Sequence, residues 1–143
     1  MGRLRVGAVL VGLLMGGPAL GAGLGFGGDV PPARIPIPAR DFSAVVEDQT
    51  GVTVDVTQVS YNGEVYLYGL YGAGQVTIPF EKIREIRFEP SNEKGKRVAF
   101  ATLRDASSVR VVIDDDVPAY GKTAFGTYQI TVDRVRRMTF GSP

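Results

Sequence analysis

The sequence predicts an all-β protein built as two tandem copies of one small unit. Three observations carry that expectation. Residues 74–88 (GQVTIPFEKIREIRF) return as residues 126–140 (GTYQITVDRVRRMTF), 52 positions later. Apolar and polar residues alternate with a period of two, as in Val52, Val54 and Val56 against Thr53, Asp55 and Thr57, the pattern of a half-buried strand. Turn residues separate these runs, above all Asn62-Gly63, both of which tolerate positive φ.

In chain order, Arg3 and Arg5 precede an apolar run at residues 6–15, helix-breaking Gly16, Gly17 and Pro18, and small residues at Ala19 and Gly21. This is the layout of a signal peptide over residues 1–21, which predicts a periplasmic or secreted protein. The alternative is an uncleaved anchor, the one route by which this chain is expected to meet a membrane. Without cysteine there is no lipid attachment near the cut. Residues 22–40 are rich in glycine and then proline, and predict an extended arm that acts as a spacer or docks on an edge or partner. Phe42, Ala44 and Val46 open the first strand, and residues 48–51 read as a turn. After Val56 the apolar phase slips at Gln58, and a β-bulge there would carry it on to Val59 and Tyr61. Residues 64–71 are expected to return along that strand from Asn62-Gly63. Val76, Ile78 and Phe80 share a face of the next strand, which Pro79 marks as an edge. Phe80, Ile83 and Ile86 are spaced by three, which predicts one tight helical turn between two strands.

The second copy repeats that last pattern in Tyr128, Ile130, Val132, Val135, Met138 and Phe140. Upstream, Ala99, Ala101 and Asp105 align with Phe42, Ala44 and Asp48 at an offset of 57, and Val109, Val111 and Ile113 with Val52, Val54 and Val56. The second copy is then five residues shorter, and the variable region is residues 58–73. Each copy reads as strand, turn, strand, hairpin, strand, helical turn, strand. That order resembles a small SH3-like barrel, whose last two strands are joined by a 3₁₀ turn. The resemblance implies two SH3-like repeats, residues 42–88 and 99–140, joined by a polar linker at 89–97. Each is small for an independent core, so the copies are expected to pack together. A single pseudo-symmetric β-sandwich is the alternative.

Composition narrows the chemistry. The chain has no Cys, His or Trp, which removes thiol nucleophiles, disulfides, and histidine bases or ligands. Loss of the leader takes the net charge from +1 to −1, with 14 Lys+Arg against 15 Asp+Glu, so no nucleic-acid partner is implied. The serines have no base beside them in any motif, and the Asp114-Asp115-Asp116 run lacks the spaced pattern of a calcium loop. No catalytic residue, metal site or cofactor is expected.

The candidate ligand-binding residues are Tyr61, Tyr66, Tyr68 and Tyr71, clustered about Asn62-Gly63, because aromatic rings with polar tips suit sugars and peptides. Lys82 and Arg84, with Arg134 and Arg136 in the second copy, are candidate contacts for an anion or partner. The expected function is an exported, non-enzymatic binding or interaction module of the cell envelope, with a polysaccharide or envelope protein as partner. The alternative is an assembly protein that forms oligomers through β-edges and the proline-rich arm, and a hydrolase using carboxylates alone ranks below both.

Overall fold

The computed structural model describes residues 35–141. The expected leader at 1–21 and most of the arm, to residue 34, lie outside the described residues. The all-β expectation holds. Ten strands are present: β1 (Ala44–Asp48), β2 (Thr53–Tyr61), β3 (Tyr66–Tyr71), β4 (Gly74–Pro79), β5 (Ile83–Pro90), β6 (Lys96–Leu103), β7 (Ser108–Asp114), β8 (Pro118–Thr123), β9 (Gly126–Thr131) and β10 (Val135–Phe140). They form one antiparallel sheet in the order β4-β3-β7-β6-β5-β10-β1-β2-β8-β9, which curls into a half-barrel.

Local chemistry explains each element. Single 3₁₀ turns at Phe80–Lys82 and Val132–Arg134 interrupt the strands where the spacing of three requires it, and each buries its first residue, Phe80 or Val132. Gln58 sits at φ 50°, and the β2–β8 register shifts between Thr57 and Ser60, so the predicted bulge is present. It returns Val59 to the core after Val56. Pro79 lies on β4, which is an edge strand. The linker is shorter than expected: β5 runs to Pro90 and β6 starts at Lys96.

The two copies do not close separately. β2 is flanked by β1 and β8, and β3 by β4 and β7. The turn at Asn62-Gly63 forms as expected, with φ of 53° and 85°, but only Tyr61 and Glu64 bridge across it. The expected return of residues 64–71 along β2 does not occur, because β8 already occupies that side. The chain crosses instead to the other half of the sheet, so each half takes strands from both copies.

This exchange obeys a pseudo-twofold axis. Swapping β1–β5 with β6–β10 reverses the strand order onto itself. The axis passes through the cross-strand pair Ile86 and Met138, which are each other's counterparts. Two registers fix the offset between copies. Asp48 N–H donates to Val52 O and Leu103 N–H to Ser107 O. Leu70 pairs with Val112, and Lys122 with Thr57. Both place the first two strands 55 positions apart, not 57. The second copy is therefore three residues shorter, not five, and the difference falls between Thr57 and the start of β3, the bulge at Gln58 included. A slip of two keeps every side chain on its face, so alternation alone could not detect it.

Side chains from both copies fill one core, including Phe80, Leu67, Ile83, Ile86, Val132, Val135 and Met138. Close crossing of the exchanged strands depends on Gly69 and its counterpart Gly121. A Cβ on Gly69 would lie 2.5 Å from Val112 O, and one on Gly121 2.0 Å from Val56 Cγ1. The described end of the arm rests on its own domain. Pro38 is buried, Pro36 lies against Gly63, and Arg40 Nη1 meets Glu81 Oε1 at 2.9 Å.

Candidate binding site at the tyrosine turn

The extra residues of the first copy build a concavity lined by tyrosines. The bulge at Gln58 and the turn at Asn62-Gly63 carry Tyr61 to the end of β2, beside Tyr68 on β3. Tyr61 is only 2% exposed. Its ring meets that of Tyr68 edge-on, with centroids 5.0 Å apart and planes at 80°. Its hydroxyl donates to Tyr68 O at 3.4 Å. Burial pushes the Tyr61 phenol well above its ordinary value, and the charges of Tyr68 and Asp114 add to the shift. Tyr61 thus supports Tyr68 from behind, and it also stands among the residues that line the second of two adjoining hollows.

Tyr66 and Tyr68 alternate with buried Leu67 and stand on the opposite face of β3. Their rings lie 5.9 Å apart, tilted by 57°. Asn62 Nδ2 donates to Tyr68 Oη at 2.9 Å, which fixes that ring from the turn. The two rings line a hollow of about 290 Å³ with Asn62, Glu64, Gln75 and Thr77. A second hollow of about 240 Å³ adjoins it, and both share Tyr68, Gly69 and Gln75. It opens where β3 and β7 diverge beyond their one paired position, Leu70 with Val112. Lys96 and Asp114, 2.6 Å apart, stand among its lining residues. The result is two half-exposed ring faces beside amide, hydroxyl and carboxylate groups. Such a surface can stack on the C–H face of a sugar ring while its polar groups bond the hydroxyls.

The structure brings three of the four tyrosines together. Tyr71 lies at the far end of β3, 60% exposed, and lines neither hollow. The basic residues fall into two sets at opposite ends of the antiparallel β5–β10 pair, Lys82 with Arg84 and Arg134 with Arg136. Arg136 is engaged by Glu47 at 3.1 Å, while Lys82, Arg84 and Arg134 are exposed. Asn62, Glu64, Gln75 and Thr77 were not expected in the site. Thr77 pairs with Tyr68 and Gln75 with Leu70 across the hairpin closed by Gly72 and Ala73. Counting outward from that turn would have found both. In the second copy Pro118 stands in the place of Tyr66, and Tyr120 alone matches a site tyrosine.

The fold and this geometry can be set beside known proteins. The model of a family described as "Uncharacterised protein" matches residues 38–142. The chain belongs to that family. The matched segment begins at Pro38, the first buried residue among those described, and takes in all ten strands and both hollows. No curated protein and no solved structure matches the chain.

Proposed function

We propose that this chain is an exported, non-enzymatic binding module of the cell envelope that holds a polysaccharide at the tyrosine turn of its first copy. One observation carries the reading: Tyr66 and Tyr68 present their rings beside Asn62, Glu64, Gln75 and Thr77 in a solvent-open hollow. Tyr61 and Asn62 hold Tyr68 in place before a ligand arrives, which lowers the ordering cost of binding. The site lies in the part of the repeat that differs between copies, so it can serve recognition without disturbing the shared core. The signal-peptide layout of residues 1–21 supports export.

The test is retention of the chain on insoluble envelope polysaccharide, together with chemical-shift mapping using soluble fragments. Tyr66→Ala with Tyr68→Ala should abolish retention, since each stacked ring contributes on the order of 1 kcal/mol beyond its buried area. Tyr71→Ala should leave it intact. Unchanged retention by the double variant, with its melting curve preserved, would remove this site from consideration.

A further inference from the structure

Among the described residues no further strand covers the two ends of the ten-stranded sheet, β4 and β9, which are related by the pseudo-twofold axis. They are not equivalent in what they offer. Val132 N–H donates to Val117 O, and β8 pairs with β9 from Pro118 with Thr131 to Thr123 with Gly126. Alternation along an antiparallel ladder then turns the N–H and C=O groups of Thr127, Gln129 and Thr131 outward, away from β8. On β4 the same geometry turns Gln75, Thr77 and Pro79 outward, since Phe80 N–H donates to Val65 O. Pro79 has no N–H to give, and it occupies the position of Thr131. Proline on an edge strand is a common block to pairing. The β9 edge lacks that block, and its residues, GTYQIT, carry no charge.

We propose that β9 is a homodimer edge, pairing antiparallel with β9 of a second copy of this chain about a twofold axis at Gln129. The sequence of the edge is self-complementary in that register. Gln129 meets Gln129 of the second copy, and Thr127 meets Thr131. Thr–Thr pairs are favourable across strands, and no like charges are opposed. On the other face Tyr128 meets Ile130, an aromatic–β-branched pair that would cover two side chains now only half-buried against the core. Every outward N–H of residues 127, 129 and 131 gains an acceptor. The pairing stops at Thr131, because the 3₁₀ turn Val132–Arg134 bends the chain away. The interface is isologous, so it closes as a dimer and does not propagate. It lies at the opposite end of the strand order from β4 and the tyrosine hollow. The inference therefore does not depend on what that hollow binds.

Sedimentation equilibrium of the full chain, with amide hydrogen exchange across a range of concentrations, tests this. The wild type should dimerise, and the amides of Thr127, Gln129 and Thr131 should gain protection as concentration rises. Gln129→Lys sets two ammonium groups against each other on the axis and should weaken the dimer about a hundredfold. Its melting curve as a monomer should be unchanged, because Gln129 is exposed and its N–H does not bond to β8. Thr53→Lys adds the same charge on interior strand β2 and should leave the dimer as it is. A wild type that stays monomeric overturns the proposal. So does association that Gln129→Lys leaves intact, as the leader or another surface would produce. Absence of concentration-dependent protection at the three amides overturns it without any variant.

Discussion

Gly69→Ala tests the exchanged topology most directly. The added Cβ would stand 2.5 Å from Val112 O, 2.7 Å from Val111 Cγ1 and 2.9 Å from Ile113 Cγ2. All three neighbours belong to β7, a strand of the other copy. The first is backbone and cannot rotate away, so β3 and β7 must separate by about 1 Å to restore an ordinary contact. Val111 and Ile113 are buried, which leaves their methyl groups little room. Overpacking of this kind costs about 3 kcal/mol. For a folded region of this size that is a fall in melting temperature of roughly 15 °C. Gly121→Ala is the symmetric change, but its first clash is with Val56 Cγ1 at 2.0 Å, and the backbone atom Thr57 O lies at 3.0 Å. Combining it with Val56→Ala should therefore give a double variant more stable than the sum of the singles, by at least about 1 kcal/mol. Gly69→Ala with Val111→Ala should show much less relief, since the Val112 oxygen remains. Urea unfolding followed by far-ultraviolet circular dichroism measures each term. Gly69→Ala within about 0.5 kcal/mol of wild type would refute the crossing of β3 over β7.

Two further outcomes follow from the core and from Tyr61. Ile86→Ala and Met138→Ala should each cost about 3 kcal/mol, and the double variant should depart from their sum, because the two side chains meet on the pseudo-twofold axis; strict additivity in urea unfolding would count against that pairing. Tyr61 is held protonated by burial, so the folded state keeps its proton longer than the unfolded chain does. The resulting stability is intact below an unfolded value of about 10 and falls as pH rises beyond it. Tyr61→Phe should flatten that fall in urea midpoints measured across alkaline pH, leaving the smaller share due to Tyr66 and Tyr128, whose phenols are also raised. Parallel curves for wild type and variant would refute the assignment.

Much of the fold was legible residue by residue. The spacing of Phe80, Ile83 and Ile86 gave a 3₁₀ turn between two strands, and Val132, Val135 and Met138 gave it again. The slip after Val56 gave a bulge, Asn62-Gly63 a turn with positive φ, and Pro79 an edge. These are short-range consequences of sterics, φ preference and side-chain period, and they are written into neighbouring residues. The candidate site was legible in part, for the same reason. Tyr66 and Tyr68 share a face by parity, whereas Asn62, Glu64, Gln75 and Thr77 come together only once β3 is laid against β4 and Tyr61 is tucked beneath Tyr68.

Strand partnership is a different kind of fact. A strand's own sequence says which face is apolar, but an unpaired backbone edge is chemically the same whichever strand it meets. The choice of β7 for β3, and of β8 for β2, rests on what fits across the seam, and so on Gly69 and Gly121. Register offers the same lesson, since offsets of 55 and 57 bury the same faces and only cross-strand partners, in the hydrogen bonds at Asp48 and Leu103 and the pairs Leu70 with Val112 and Lys122 with Thr57, separate them. The sequence by itself therefore determined the elements, their turns and the repeat. The tertiary structure alone decided that the two copies interleave about Ile86 and Met138. Local conformation is set by near neighbours, and pairing by packing between residues far apart in the chain.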